Sequence, residues 1–256
     1  MRHPRRATAG VAAVAGAAAL AFGLTPAFAG NSKDKDNPTK GDPPTYQVTI
    51  ENLTGGQALT PPIVATHRRG HLFYDVGRRA PDRIVQIAEN GDLAPMSAFI
   101  AASRRVADSH TAMAPLVPAA NPGGTPFTNS VTFTIDGRRG ATRISWASML
   151  ICTNDGFTGV DGLRLPHKVG QTVVARTAAY DAGSEANTED FGDIVPPCQG
   201  LIGVSGTAAG TGASDPALAT SGVIAHHPGI TGRRDLLTNV HGWSDPVATF
   251  SVTRID

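Results

Sequence analysis

The chain has 256 residues, with 22 Lys plus Arg against 21 Asp plus Glu and a formal net charge of +1. The charges are interspersed, so the overall balance offers no basic field for nucleic acid or an anionic membrane. The length fits one large all-β domain with a sizeable core. Aromatic residues make up only 5%, beside 29 Gly and 19 Pro, which points to a loop-rich protein with an aliphatic core.

The first 29 residues read as an export leader. Arg2, Arg5 and Arg6 form a positive start, an uncharged Ala-rich run extends from Ala7 to about Leu24, and Pro26-Ala27-Phe28-Ala29 presents small residues for cleavage before Gly30. The run is poor in Leu and Ile and leads into a polar tail, so removal is expected rather than anchoring. The remaining 227 residues would carry a formal charge of −2, because three arginines and no acid leave with the leader. No other stretch has the length and apolarity of a spanning helix. An exported protein meets an oxidising environment, and the two cysteines, Cys152 and Cys198, are expected to pair across 46 residues; two unrelated thiols are the alternative.

Residues 30–45 have no apolar periodicity and contain three prolines, the composition of a disordered spacer. Regular structure is expected from Tyr46, where apolar and polar residues alternate to Asn52 as in a strand with one buried face. Pro81 suits a first helical turn, Ile84, Ile87 and Ala88 share a helical face, and Asn90-Gly91 ends the segment. Leu93–Val106 has room for another short helix. Alternation returns at Ser130–Asp136, while Thr142–Cys152 and Gln171–Ala179 are rich in Ile, Val and Thr. Gly203–Ser221 reads as a mobile loop, and Val247–Ile255 as a last strand able to lie beside the first. The fold class expected is mainly β, a sandwich of two antiparallel sheets with one or two short helices in loops.

The chemistry concentrates in two acidic turns. Thr153-Asn154-Asp155-Gly156 follows one strand, and Asp181-Ala182-Gly183-Ser184-Glu185 follows another. With one intervening antiparallel strand, both turns fall at the same end of the sandwich, where Asp155, Asp181 and Glu185 can converge. Three carboxylates repel one another unless a cation neutralises them, and oxygen ligands on loops suit Ca2+. Asn154, Asn187 or nearby carbonyls are candidates to complete the shell. This is not an EF-hand: counting from Asp181, Ala186 stands where that loop needs Gly. From spacing alone, solvated acidic turns remain the alternative.

Several segments resemble the spondin domain. They are Tyr46–Thr54, Pro61–His67, Ile87–Asp92, Ser148-Met149-Leu150, Thr153–Phe157 and Ala179–Glu185, and the similarity runs from Tyr46 to the end of the chain, so residues 46–256 read as a spondin-like domain. The resemblance implies a β-sandwich like that of membrane-binding C2 domains, with one calcium ion held by carboxylates from two loops. The Asp of a Pro-Asp-Trp segment in the animal members matches Asp155, and the two acids of Asp-Ala-Gly-Thr-Asp match Asp181 and Glu185. The last position is therefore Glu here, one methylene longer, and the segment between the two blocks is a few residues shorter. The animal domains belong to extracellular matrix and adhesion proteins.

Other groups carry less. Adjacent strand residues His226 and His227 point to opposite faces, which disfavours a shared metal. Trp146 and Trp243 read as packing residues. No nucleophile elbow is present, and Glu89 and Asp92 read as a solvated helix end. The expectation is therefore a secreted or cell-surface calcium-binding module without catalytic residues. It would be a monomer recognising an extracellular protein, glycan or lipid headgroup, with no nucleic-acid partner and no membrane span after cleavage. The alternatives are a metal-dependent hydrolase using Glu89 or Glu189 as base, and a structural protein of the cell envelope or matrix.

Overall fold

In the computed structural model, residues 42–138 and 140–256 are described; the leader, and the spacer up to residue 41, lie outside them. The strands are β1 (Thr45–Asn52), β2 (Ile63–His67), β3 (Val106–Thr111), β4 (Ser130–Asp136), β5 (Arg143–Met149), β6 (Gly156–Arg164), β7 (Thr172–Thr177), β8 (Ala179–Asp181), β9 (Ala225–His226) and β10 (Ala248–Arg254). Between them lie α1 (Asp82–Asn90), α2 (Ala94–Ala102), α3 (Pro197–Ile202) and α4 (Thr238–His241), with a single 3-10 turn at Phe191–Asp193. One antiparallel sheet has the order β4-β1-β10-β7 and the other β3-β2-β5-β6-β8-β9. The protein is thus mainly β, a two-sheet sandwich, with four short α-helices among the described residues where the sequence promised one or two.

The smaller sheet follows the alternation in its sequence. Tyr46, Val48 and Ile50 of β1 and Phe250 and Val252 of β10 point inward, and the first and last strands pair directly from Tyr46↔Arg254 to Asn52↔Ala248. Their inward side chains meet Val64, Ile144, Trp146 and Leu150 of the larger sheet. Trp146 is fully buried and stacks on Phe250 at 5.7 Å, so it serves the core.

The larger sheet is covered on its other face as well. Ile63, Ala65, Ala147 and Met149 pack there with Ile84, Ile87, Met96 and Ile100 of the first two helices and Leu201 of α3. A sheet buried on both faces needs apolar residues at consecutive positions, which explains why β2 and β5 show no alternation. In α1, Gly91 takes φ 65° and closes the helix with its N–H on Gln86 and Ile87 carbonyls, a conformation suited to glycine. The stretch Leu93–Val106 divides into α2 and the start of β3.

One expected strand is really two. Gln171–Ala179 breaks at Ala178: Thr177 pairs with Ala248 in the smaller sheet, whereas Ala179 pairs with Thr158 in the larger. The Thr158 hydroxyl donates to the Ala178 carbonyl at 2.9 Å and also meets Thr177 Oγ1 at 2.8 Å, fixing the crossing point. This switch carries the chain that ends in Asp181 to the sheet that ends near Asp155.

Close approach of β5 and β6 depends on Gly159, paired with Ala147. A Cβ there would lie 2.2 Å from the Trp146 carbonyl oxygen, in backbone that cannot give way. Gly159→Ala is expected to lower stability by about 2 kcal/mol or more. An unchanged urea midpoint would show that the strands tolerate more separation than this contact implies.

Candidate metal centre

The first acidic turn is built by short polar bonds. Thr153 Oγ1 donates to the Leu150 carbonyl at 2.6 Å and accepts from the Gly156 N–H at 2.9 Å. A Cβ at Gly156 would fall 2.4 Å from that hydroxyl, so glycine is required where β6 begins. The disulfide expected from the sequence is present: Cys152 bonds Cys198, three residues before Asp155, and ties this turn to α3.

The second turn reaches the first through the sheet. Gly156 pairs with Asp181, and the Ala182 N–H donates to the Asp155 carbonyl at 3.1 Å. The chain then reverses at Gly183, φ 69°, where a Cβ would press within 2.8 Å of the backbone at Gly222 and Val223. That reversal aims successive N–H groups at one carboxylate oxygen: Asp155 Oδ2 accepts from Ser184 N at 2.8 Å, Glu185 N at 3.0 Å and Ser184 Oγ at 3.2 Å.

Asp155 is fully buried, yet its other oxygen, Oδ1, has no hydrogen-bond partner. Burial first, and the Asp181 charge second, push its carboxyl up to about 6 despite the bonds from residues 184 and 185. Asp181 is turned towards its own loop, accepting from Gly183 N at 2.7 Å and Asn187 Nδ2 at 2.6 Å. Glu185 is 7% exposed and accepts from Asp215 N at 3.1 Å. Burial pushes it up to about 7, opposed by the Asp215 N–H and reinforced by the charges of Glu89, Asp155 and Asp193.

The topology therefore brings the three sequence-derived acids into one neighbourhood, but their ligand oxygens are not all within 4.8 Å of one another. Among the described residues the one group of three metal-type donors that close is Cys152, Cys198 and His241, and its sulfurs form the disulfide. The acids nevertheless fit a hard cation in chemistry: the donors are carboxylate oxygens, Asp155 Oδ1 is buried and unpartnered, and two carboxyls sit where ionisation is disfavoured without a positive charge. Asn154 plays a different part. Its Oδ1 accepts from Thr188 N at 3.0 Å and its Nδ2 donates to Thr188 Oγ1 at 3.1 Å, holding the chain that leaves the second turn.

Two further acids belong to this region and escaped notice as partners. Glu89, read as part of a solvated helix end, is 8% exposed because α1 packs against the larger sheet. It and Asp193 both act on Glu185. Glu89 comes from α1, far from both acidic turns in sequence, and Asp193 from the 3-10 turn that follows the second of them.

Glu189 is occupied elsewhere. One oxygen accepts from Thr231 N at 2.6 Å and Thr231 Oγ1 at 2.7 Å, the other from Gly232 N at 2.8 Å and Arg233 N at 3.0 Å. Burial alone would raise this carboxyl, but the four bonds outweigh it and hold it below the ordinary glutamate range. Its backbone also sits at φ 59°, unusual outside glycine, and its role is to fasten the loop after residue 230. His226 is exposed and bonds Asp245, while His227 is buried with its edge on Trp243 and its imidazole pushed down to about 4, chiefly by burial. The two rings face different surroundings, with β9 ending at His226 and His227 just beyond it.

Compared with models of known protein families and with curated proteins, the chain matches none.

Proposed function

We propose that this protein is an exported, calcium-binding β-sandwich of spondin type that acts by binding, as an adhesion or ligand-recognition module. The observation that carries the reading is the buried Asp155 carboxylate, with three donors on one oxygen and no partner on the other, beside Asp181 and near Glu185. These three residues would hold the ion. Bound calcium would neutralise acids that otherwise repel and tie the two turns together; Asp181 and Glu185 would give up their bonds from Gly183, Asn187 and Asp215 to it. The exposed loops at this end would then present the recognition surface.

Export is supported by the leader in the sequence and by the Cys152–Cys198 bond, which suits an oxidising compartment. No helix among the described residues is long and apolar enough to cross a membrane. The binding reading is favoured over hydrolysis because Glu189, one of the two candidate bases, already accepts four hydrogen bonds.

Thermal unfolding with calcium and with chelator tests the proposal. A ligand that binds only the folded state at a hundred times its Kd stabilises by about 2.7 kcal/mol, which raises Tm by roughly 5–10 °C for a domain of this size. The shift should disappear in Asp181→Asn. A transition that calcium leaves unmoved, in protein that purifies without bound ion, would remove the metal from the function.

A further inference from the structure

The opposite end of the larger sheet carries the reverse charge. His67 of β2 pairs with Arg143 of β5, and Arg143 pairs with Arg164 of β6, so these strand ends lie side by side. Just beyond them a cleft of about 390 Å3 is lined by Arg69, Thr142, Arg143, Arg164 and His167. No acid lines it. Among the described residues, no Lys or Arg side chain forms an ion pair with a carboxylate; the two ion pairs present are both between His and Asp.

Like charges directly opposite on neighbouring strands disfavour the pairing. Arg143 and Arg164 occupy such a pair, with Arg69 on the same cleft; the nearby Asp161 carboxylate accepts from Ser145 Oγ and the Leu72 and Phe73 N–H groups, and among the described residues no carboxylate lies within ion-pair distance of an arginine. The surrounding backbone is held firmly all the same. Arg143 donates from Nη1 to the Gly162 carbonyl at 2.8 Å, Arg105 donates to the Arg69 and His71 carbonyls at 2.8 and 2.9 Å, and Arg254 donates to the His167 carbonyl at 2.6 Å. Three arginines are thus engaged in or beside the cleft, while Arg69 and Arg164 are exposed to solvent. Guanidinium is the side chain best matched to the paired oxygens of phosphate and sulfate.

We infer that this cleft, bounded by Arg69, Arg143, Arg164 and His167, is a binding site for phosphate or sulfate ester groups carried on an extended anionic molecule. The site is independent of the calcium reading: it lies at the other end of the strands and shares no residue with it. The volume exceeds that of a single oxyanion, and the arginines stand on separate strand ends, so repeated anionic groups fill it better than one.

Calorimetric titration of the purified exported chain at low ionic strength, with tripolyphosphate in one arm and a sulfated heparin tetrasaccharide in the other, tests this. At least one anion should bind with a Kd in the micromolar range, weaken as salt is added, and bind at least about tenfold more weakly to Arg69→Gln/Arg164→Gln, each step of ten being about 1.4 kcal/mol. The stronger arm identifies the preferred oxyanion, phosphate or sulfate. Both substituted side chains are exposed, and removing Arg164 relieves a like-charge pair, so the double variant should melt no lower than the parent in anion-free buffer. Absence of binding by both anions at low salt, or equal binding by the double variant, overturns the inference.

Discussion

Without calcium, the protein is expected to lose stability as the pH rises from roughly 4 to 7, and calcium is expected to restore it. Asp155 and Glu185 have ordinary carboxyl values of 3.8 and 4.5 and are pushed up to about 6 and about 7 in the fold. A carboxyl raised in the folded state binds its proton more tightly there than in the unfolded chain. Its contribution is complete below the unfolded value and is lost as pH climbs through the folded one. For Asp155 the window is pH 4 to 6, and for Glu185 it extends to pH 7. Each shift corresponds to about 3 kcal/mol at most, and the two are coupled, so the combined loss is smaller than their sum.

The same linkage fixes the direction for metal. A cation requires the ionised carboxylates, so calcium affinity should rise across this window and protons should be released on binding. Asp155→Asn separates charge from shape: the amide oxygen can keep the three donors from residues 184 and 185, while the charge that disfavours folding at neutral pH is gone. The variant should therefore be more stable than the parent at pH 7 in chelator, by about 2 kcal/mol, and insensitive to calcium. Urea unfolding at several pH values, with and without calcium, reads both effects. A flat pH profile in chelator, with a destabilised Asn variant, would mean that Asp155 is a purely structural acceptor.

How far the sequence discloses this arrangement depends on which side of a strand meets water. β1, β4 and β10 each have one wet face and one dry face, so residues such as Val48, Phe133 and Phe250 alternate with polar ones and the strands are readable. The larger sheet lies between two apolar layers. Ile-Val-Ala-Thr-His in β2 buries every residue, and no period remains to be seen. The acids were legible for a different reason. Asp155 sits beside Gly156 and Asp181 two residues before Gly183, each at a strand end, and turn chemistry is local. The approach of Glu89 and Asp193 to Glu185 depends on how α1 and the 3-10 turn settle on the sheet, which no nearby residue encodes. Composition conceals as much. A net charge of +1 averages an acidic end of the sandwich against an arginine-rich end, and only strand register separates them.

The disulfide joins stability to the acidic end, and its removal should show both effects. It closes a loop of 46 residues containing β6, β7, β8 and both acidic turns. Chain entropy assigns such a crosslink about 4 kcal/mol, or a fall in Tm of roughly 10 °C for a domain of this length. Both sulfurs are fully buried among apolar side chains that include Ile151, Phe191 and Leu201, so Cys152→Ala/Cys198→Ala keeps the surroundings apolar. The unfolded chain, freed of the loop, should expand, and the urea m-value should rise. Calcium affinity should fall by a larger factor than in a distant variant of equal stability, because Cys152 fixes the backbone three residues before Asp155 while Cys198 holds the segment that bears Asp193. Ile50→Ala supplies that comparison, since Ile50 is fully buried on β1 in the smaller sheet, which carries neither turn. If the two variants lose stability equally and calcium binding equally, the bond acts on the unfolded state alone and does not position the acids.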